Sequence, residues 1–307
     1  MRVLILGSNG LVGSSLKKIL NNNDQITDLI CSTREDTNLF SFEETQKLIE
    51  NSKPDILINA AARVGGIYAN NSKRTEFILE NLKINVNILE ASIPNPEIFI
   101  INLGSSCIYP LDANNPIKET SIMTGKLEPT NSPYAMAKLT AIEMGNSLSD
   151  QYGHKVLNLM PTNLYGPNDK FTEKDSHVIP GLIARMNNAM NEGSDEFRIW
   201  GTGKPLREFL FIDDLASAIE FLMVKKPETT LLNVGSGYEI SIYELAKKIK
   251  DVIGFQGDLV FDDSMPDGNP RKLLDSSRIN EMGWKPKIDI DKGLKLTYDW
   301  FKKNRLT

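Results

Sequence analysis

The chain has 307 residues, of which 40% are hydrophobic and 24% are charged, and this length and composition are sufficient for a large buried core. Its formal net charge of −5 is spread over segments of mixed sign and forms no basic stripe, so we expect no nucleic-acid partner. The chain has only two cysteines, Cys31 and Cys107, which excludes the disulfide framework of a small secreted protein. The apolar run Val3 to Leu6 is too short for a signal peptide or a membrane span. We therefore expect a cytoplasmic protein without membrane contact.

Short apolar strands and longer amphipathic helices alternate along the first two thirds of the chain, as a parallel sheet with crossover helices requires. The predicted strands are Val3 to Leu6, Ile26 to Cys31, Ile56 to Ala61, Ile98 to Leu103 and Val156 to Met160. The predicted helices are Leu11 to Leu20, Phe42 to Ile49 with Ser41 as N-cap, Thr75 to Ala91, and Pro133 to about Tyr152. This pattern predicts an α/β fold with a Rossmann-type, doubly wound parallel sheet.

The pattern changes after about residue 165, where glycine and proline are more frequent and the elements are shorter. Apolar segments at Phe197 to Trp200 and Leu231 to Val234 lie far along the chain from the first strands. We expect residues 1–165 to form a dinucleotide-binding domain and residues 166–307 to form mainly a smaller α/β substrate-binding lobe. Segments near 205–235 should return to the first domain, so that the two parts interleave.

A glycine-rich loop follows the first predicted strand and leads directly into a helix. Glycine permits a tight turn and a close approach of the backbone to a pyrophosphate, whose charge is attracted by the N-terminus of the helix. The spacing alone is a weak signal, and an ordinary strand-to-helix turn is the alternative. Its position predicts a dinucleotide site formed by Gly7, Ser8, Asn9, Gly10, Leu11, Val12 and Gly13.

The end of the second predicted strand indicates which dinucleotide is bound. An acidic residue there would hold the ribose hydroxyl of NAD, but the segment from Cys31 to Arg34 contains no acid. Arg34 can instead pair with a 2′-phosphate, which favours NADP. The alternative is an ordinary surface arginine, and the adjacent Glu35 and Asp36 weaken the preference.

Tyr134 and Lys138 are four residues apart on a predicted helix, so both lie on one helical face. We expect the ammonium to lower the pKa of the phenol and prepare it for proton transfer with a carbonyl or hydroxyl group. Ser105 follows the strand that ends about thirty residues earlier and can bring a hydroxyl to the same carbonyl. Chance spacing of a packed tyrosine and a solvated lysine is the alternative.

The glycine-rich loop, Ser105 at a strand end and the pair Tyr134 and Lys138 occur in this order along the chain. Together they resemble the extended short-chain dehydrogenase/reductase family, and the resemblance covers nearly the whole chain. Cys107 and Ile108 replace the acidic pair that sugar-nucleotide dehydratases of the family carry. The resemblance therefore narrows to enzymes that epimerise GDP-4-keto-6-deoxymannose at carbons 3 and 5 and reduce its keto group with NADPH. Further segments that carry it are Ala62 to Ile67, Pro161 to Pro167, Ser176 to Pro180, and Arg207 to Phe209.

The resemblance implies roles for individual residues. Tyr134 would protonate the carbonyl oxygen, Lys138 would tune its pKa and contact the cofactor ribose, and Ser105 would hydrogen-bond the same oxygen. Cys107 and His177 would be the two epimerising groups, with His177 also beside the cofactor. The residues implied to hold the nucleotide-sugar are Arg185, Trp200, Arg207 and Asp267, and those implied to line the cofactor are Leu103, Gly104, Ser105, Ser106, Pro161, Thr162, Asn163 and Leu164. No residue is assigned to a metal.

One departure from the family pattern concerns NADP selection, because Asn9 and Ser32 stand where arginines are expected and leave Arg34 alone. The two long predicted helices resemble those that pair in the homodimers of this family, so we expect a homodimer. Alternatives to the epimerase-reductase are a 4-keto reductase, an epimerase that recycles NAD, and a non-catalytic dinucleotide-binding regulator.

Structural roles are the alternatives for four of these residues. A lone cysteine such as Cys107 is more often a small buried hydrophobe than a reactive thiol. His177 could cap a helix or lie on the surface. Arg207 could form a structural ion pair with Glu208 or Asp213, and Asp267 could serve only in a turn.

Overall fold

The computed structural model describes residues 1–172, 175–262, 264 and 267–305. Its strands are β1 (Arg2–Leu6), β2 (Asp28–Ser32), β3 (Ile56–Asn59), β4 (Phe99–Leu103), β5 (Lys155–Pro161), β6 (Asn163–Tyr165), β7 (Glu196–Trp200), β8 (Leu206–Phe211), β9 (Leu231–Val234), β10 (Glu239–Ser241), β11 (Asp258–Asp262) and β12 (Arg271–Lys272). Its helices are α1 (Leu11–Leu20), α2 (Phe42–Ser52), α3 (Ile67–Ser72), α4 (Arg74–Ser92), α5 (Ser132–Tyr152), α6 (Val178–Asn191), α7 (Ile212–Lys225), α8 (Ile242–Ile253), α9 (Ser277–Glu281) and α10 (Ile290–Arg305).

Among the described residues, six parallel strands form a large sheet in the order β2-β1-β3-β4-β5-β9. Alternate side chains of each strand enter opposite layers, because successive residues of a strand point to opposite faces. Val3 and Ile5 pack with Leu16 of α1, whereas Leu4 and Leu6 pack with residues of α2 and α4. β2 and β3 lie on opposite sides of β1, so the order of the strands reverses at β1. A ligand-binding crevice is expected at the carboxyl ends of the strands at such a point, here β1 and β3.

A row of buried asparagines crosses the centre of the sheet. Asn59 donates to the Oδ1 atom of Asn102 over 2.9 Å, and Asn102 donates to that of Asn158 over 3.1 Å. The three residues occupy paired positions of β3, β4 and β5. Because buried amides are costly unless they are hydrogen-bonded, this row favours one register of the three strands. It thereby fixes the strand ends that carry the candidate site.

The remaining strands form two smaller sheets. β8 lies between antiparallel β10 and parallel β12, and it also pairs in parallel with β6, while β7 pairs with β11. Glu208 of β8 is fully buried, and its carboxylate accepts the backbone N–H groups of Gly237 (2.8 Å) and Leu274 (3.0 Å). These bonds connect β8 to two loops of the smaller sheet and hold the neighbouring Arg207 in place.

The predicted fold class is confirmed, and each predicted strand and helix of the first half is present. The helix Leu11–Leu20 has the predicted ends, and the other elements differ by one to three residues at one or both ends. The second strand begins at Asp28, not Ile26, because Ile26 belongs to a turn in which its N–H donates to Asn23. The third ends at Asn59, whose side chain accepts the N–H of Ala61 and turns the chain. Leu231–Val234 lies in the large sheet beside β5. None of the described helices is both long and apolar enough to span a membrane.

Candidate active site

The loop after β1 is built around three glycines. Gly7 has a φ of +76°, a conformation that other residues rarely adopt, and its N–H donates to the carbonyl of Ser32 over 3.0 Å. A Cβ atom on Gly13 would lie 2.3 Å from the carbonyl oxygen of Gly7. The loop can therefore pack against the first turn of α1 only when position 13 has no side chain.

The same loop has the features that a pyrophosphate requires. A Cβ atom on Gly10 would contact only the Gly7 carbonyl, at 3.5 Å, and would otherwise face open space. The first turn of α1 contains no acidic residue and no side-chain cap, so its free N–H groups and dipole remain available to an anion. Ser8 is buried beneath the loop, and Asn9 is exposed beside it. These residues fit a dinucleotide.

The predicted phosphate-binding arginine lies just beyond β2. Arg34 is exposed, and the neighbouring acid Asp36 is turned away from it towards Thr33, whose N–H (2.8 Å) and hydroxyl (2.7 Å) it accepts. These hydrogen bonds hold the pKa of Asp36 below its ordinary value. The Asp36 carboxylate is therefore hydrogen-bonded to Thr33, and the contact of Arg34 with NADP stays a prediction.

Lys138 is buried at the carboxyl end of β4. The residue is 2% exposed, and its ammonium donates to the carbonyl of Leu103 over 2.6 Å and lies 5.8 Å from the ring centre of Tyr134. Burial lowers the pKa of Lys138 to about 8, because the charged form is poorly solvated there. The predicted pair thus shares one face of α5, as its spacing requires.

The predicted net lowering of the Tyr134 pKa is wrong for this structure, whereas the stabilisation of a phenolate by Lys138 stays a prediction. Burial, and secondarily the nearby Cys107, raise the pKa of Tyr134 above its ordinary value, and a hydrogen bond with Ser105 opposes them. The ammonium is held by Leu103 instead of bonding the phenol oxygen. Tyr134 is consequently protonated at neutral pH, which suits a proton donor.

Cys107 and Ser105 lie in the 3₁₀ turn that follows β4. The Ser105 hydroxyl accepts the N–H of Cys107 over 3.2 Å, and this bond fixes the turn. Cys107 is half-buried and packs with Tyr134, Phe77 and Ala69. The thiol, the phenol and the serine hydroxyl therefore occupy one wall, although the apolar packing of Cys107 also fits its structural alternative.

The other predicted cofactor residues occupy strand ends of the large sheet. Leu103 ends β4, Gly104 donates to the Leu159 carbonyl over 2.8 Å, and Ser106 is buried. Pro161 ends β5 and Leu164 lies in β6. Between them, Thr162 and Asn163 both donate to the Glu208 carbonyl, over 3.1 and 2.8 Å.

His177 stands directly before α6, with a side chain that is 42% exposed. It occupies the N-cap position but makes no capping hydrogen bond with its side chain, which removes the capping alternative. Its Nδ1 atom lies 4.0 Å from the Asp169 carboxylate. The preceding segment docks on the loop after β3, where Gly66 donates to the Asp175 carbonyl over 3.0 Å and a Cβ atom on Gly66 would lie 2.3 Å from the Ser176 carbonyl.

Arg207 does not form either of the structural ion pairs considered from the sequence. The Glu208 carboxylate is bonded to backbone N–H groups, and Asp213 binds Ser15 and Lys18 on α1. Arg207 instead approaches the Asp267 carbonyl at 3.5 Å. Burial lowers the pKa of Arg207, and the nearby Asp267 opposes this.

Asp267 and the two remaining predicted substrate residues surround the loop after β7. The Asp267 carboxylate accepts the N–H and the hydroxyl of Thr202, over 2.7 and 2.8 Å, so its role exceeds that of a turn residue. Trp200, two residues before Thr202, is 40% exposed, and the guanidinium of Arg185 lies 4.4 Å from the centre of its ring. The pair presents a flat cationic surface beside Asp267.

A continuous path of contacts joins these groups. From the wall formed by Cys107 and Tyr134, Phe77 and Ala69 lead to the loop after β3, because a Cβ atom on Gly65 would lie within 3.3 Å of both. Ile67, two residues after Gly65, continues the path to Gly268, because a Cβ atom on Gly268 would lie 3.6 Å from Ile67 and 3.5 Å from Arg207. These contacts form a chain from the Tyr134 cluster to Arg207, and the segment that precedes His177 docks on the same loop at Gly66.

Two features of the site were not predicted from the sequence. The Leu103 carbonyl binds Lys138, and backbone acceptors leave no mark on a sequence. Asp169 lies beside His177 and is almost fully buried. The sequence Gly166-Pro167-Asn168-Asp169 is typical of a turn and ends in an acidic residue eight positions before His177, which could have indicated Asp169.

Known proteins resemble the chain over nearly its full length. The NAD dependent epimerase/dehydratase family profile matches residues 3–235. GDP-L-fucose synthase 1 of Arabidopsis thaliana is 43% identical over 99% of this chain and 94% of its own, and GDP-L-fucose synthase of Escherichia coli is 41% identical over 99% and 97%. Among solved structures, MlghC, a GDP-mannoheptose C4 reductase from Campylobacter jejuni with NADP bound, is 32% identical over 98% of each chain, with a TM-score of 0.87.

The glycine loop gives a test that is independent of any reaction. Gly13→Ala places a methyl group against the Gly7 carbonyl, so we expect NADPH affinity to fall about tenfold or more and the free energy of unfolding to fall by about 1–3 kcal/mol. Fluorescence titration with NADPH and urea denaturation measure the two effects. Gly181→Ala in α6 is the matched control, because its Cβ would make only an ordinary 3.6 Å contact with the side chain of Ser176. Equal NADPH affinity in both variants would contradict the assignment of the loop.

Proposed function

The chain belongs to the NAD dependent epimerase/dehydratase family, and from this premise we propose that it epimerises a GDP-linked 4-keto-6-deoxy sugar at carbons 3 and 5 and reduces it with NADPH. The product would be GDP-L-fucose or a close analogue. Relatives at 41% and 43% identity over almost the whole chain are named GDP-L-fucose synthases, and a solved neighbour holds NADP. All three support the proposal.

One arrangement supports the proposal: Tyr134 and Cys107 pack in one cluster, and the segment before His177 docks at Gly66 on the loop whose Gly65 packs against that cluster. We infer that a proton donor for a carbonyl and two further proton-transfer groups act on one substrate there. A simple dehydrogenase needs only the phenol, its serine and its lysine. The thiol and the imidazole are additional, and inversion of two carbons requires such additional groups.

NADPH, when bound, supplies the hydride that reduces carbon 4 of the sugar. The glycine loop and the first turn of α1 would hold its pyrophosphate, and Arg34 would pair with its 2′-phosphate. Lys138 would contact its ribose. The ends of β4 and β5 would line the nicotinamide side, where Gly104 leaves no room for a side chain because a Cβ atom would lie 2.0 Å from Met160.

Epimerisation follows from the acidity of the substrate. The 4-keto group lets charge spread onto its oxygen, so hydrogens on carbons 3 and 5 can be removed as protons. Cys107 would take the proton on one face of the ring, and His177 would deliver a proton to the other face. Tyr134 and Ser105 would hydrogen-bond the enolate oxygen and thereby stabilise its charge.

Reduction uses the raised pKa of Tyr134. A phenol that stays protonated at neutral pH can donate to the oxygen of carbon 4 when that oxygen becomes an alkoxide. The resulting phenolate would be stabilised by the Lys138 ammonium, which lies near the ring. Burial of both groups strengthens this interaction because water does not screen it.

Substrate selection would depend on the far end of the cleft. Arg207 and Arg185 would neutralise the diphosphate, and the exposed face of Trp200 would support the base. A 4-keto reductase of GDP-heptoses is the second candidate, because such a reductase shares the fold at 32% identity. Cys107 and His177 favour the epimerase-reductase, since a plain reductase needs neither group.

Two further proposals concern the state of the protein. We infer a cytoplasmic location, supported by the fact that both cysteines are free. We infer a homodimer through α4 and α5, which pack side by side and expose Leu79 (49%) and Met136 (44%) on their outer faces. Light scattering should give twice the chain mass of 34.3 kDa, and a monomer mass at micromolar concentration would contradict the dimer.

The function is tested with GDP-4-keto-6-deoxymannose and NADPH in deuterated water. The wild-type product should carry deuterium at carbons 3 and 5 and form with equal consumption of NADPH. Tyr134→Phe should lower reduction at least about a hundredfold, because the proton donor is lost. Cys107→Ser should lower deuterium incorporation while NADPH binding stays intact.

Each alternative has its own outcome in this experiment. Reduction without deuterium would indicate a plain 4-keto reductase, and epimerisation without NADPH consumption would indicate a recycling epimerase. NADPH binding without turnover on GDP-keto-sugars would indicate a regulator. Product formation at the wild-type rate by both variants would show that the site is misplaced.

The buried Lys138 predicts a pH dependence. Its pKa of about 8 means that the ammonium is present below pH 8 and is lost above it. Because the ammonium stabilises the phenolate formed in reduction, kcat for NADPH oxidation should fall about tenfold per pH unit above 8. Lys138→Arg keeps its charge at these pH values and should move this limb to higher pH. A wild-type kcat that is constant from pH 7 to pH 10 would contradict the assignment.

A further inference from the structure

Asp169 is an almost fully buried carboxylate beside the candidate site. Its side chain is 6% exposed, and its Oδ1 atom accepts the N–H of Lys170 over 2.7 Å. Its Oδ2 atom is buried and has no hydrogen-bond partner among the described residues. A buried charged oxygen without a partner is costly, so its presence indicates a role that the unliganded protein does not show.

Lys170 in the same loop and Lys73 at the start of α4 pair with a different carboxylate. Lys73 and Lys170 lie 3.4 and 3.7 Å from the carboxylate of Asp175, which is more exposed. The group that Asp169 does face is the imidazole of His177, whose Nδ1 atom lies 4.0 Å from Oδ1. This distance is too long for a hydrogen bond, and the contact is ionic only when the imidazole is protonated.

The backbone holds Asp169 firmly in this place. It follows a turn in which Gly166 has a φ of +151° and Asn168 a φ of +66°. A Cβ atom on Gly166 would lie 2.5 Å from the side chain of Ile212, so the turn rests directly on the start of α7. The carboxylate is thus fixed, whereas the half-exposed imidazole has room to rotate towards it.

We propose that Asp169 is a positioning residue for His177 in the epimerisation step, an inference that rests on the proposed function. Its carboxylate accepts the Nδ1–H of the imidazole when substrate fills the cleft, which directs Nε2 towards the sugar. Catalytic hydrogen bonds are often long before the ligand binds and shorten in the complex.

The proton balance of the step fits this arrangement. Cys107 as thiolate takes a proton from the sugar carbon and becomes a thiol. On the opposite face, the Nε2–H bond of the His177 imidazolium breaks and its proton forms the new C–H bond. The neutral imidazole that remains keeps its proton on Nδ1, where Asp169 holds it. Asp169 stays ionised throughout and transfers no proton.

Asp169→Asn tests the proposal because it keeps the shape and removes the carboxylate. Deuterium exchange into GDP-4-keto-6-deoxymannose, with oxidised NADP so that no reduction follows, should be slowed about tenfold or more while KM changes little. NADPH oxidation on substrate that the wild-type enzyme has already epimerised should be unaffected. Asp175→Asn is the matched control, because it removes a nearby carboxylate that pairs with Lys73 and Lys170 instead of His177.

Two measurements separate positioning from a merely structural effect. In a double-mutant cycle, Asp169→Asn should cause no further loss of exchange when His177→Asn is already present. The chain has two histidines, so nitrogen-15 NMR of labelled protein resolves the tautomer of His177 with His154 as internal reference. With substrate bound, neutral His177 should carry its proton on Nδ1 in the wild type and change tautomer in Asp169→Asn, while His154 stays the same.

The outcomes distinguish this inference from the proposed function. Absence of exchange in the wild type would overturn the function itself. Wild-type exchange by Asp169→Asn, or independent losses in the double variant, would overturn the positioning role alone. If Asp169→Asn does not fold, the wild-type spectrum decides, and a neutral His177 that carries its only proton on Nε2 with substrate bound would overturn the proposal.

Discussion

The site depends above all on one buried charge, the Lys138 ammonium at the carboxyl end of β4. It is held by the last carbonyl of that strand, at Leu103, and it lies against the ring of Tyr134. A buried charge without a partner would be costly, so this contact ties α5 to the sheet edge and sets the position of the phenol. Dehydration of the pair also explains why the pKa of Lys138 falls while that of Tyr134 rises.

Groups distant in sequence meet because the strands are parallel. The carboxyl ends of β1, β4 and β5 share one edge, so the glycine loop, the Cys107 turn and the segment after Pro161 are neighbours. The second half of the chain reaches this region by backbone contacts, such as that of Gly66 with the segment before His177. The proposed chemistry on both faces of a sugar ring would use groups from both halves.

Much of this could be predicted from the sequence, and the remainder has physical reasons. Hydrophobic alternation gave the strands and helices of the first half, and the spacing of Tyr134 and Lys138 was sufficient to place them on one helical face. The direction of the Tyr134 pKa was mistaken because burial, which is not visible in a motif, raises it, and because the ammonium donates to the Leu103 carbonyl instead of to the phenol. The contact of Arg207 with Asp267 joins positions sixty residues apart, so no local pattern could favour it over an adjacent acid. The role of Cys107 came from the family resemblance alone.

The central claim is that the phenol, the thiol and the imidazole act on one sugar ring. A crystal structure with oxidised NADP and GDP-4-keto-6-deoxymannose tests it most directly. We expect the Tyr134 oxygen to lie about 3 Å from the oxygen on carbon 4. Cys107 and His177 should lie on opposite faces of the ring, each within about 3.5 Å of carbon 3 or carbon 5. A complex in which Cys107 or His177 points away from the ring, while the nicotinamide and Tyr134 are correctly placed, would contradict it.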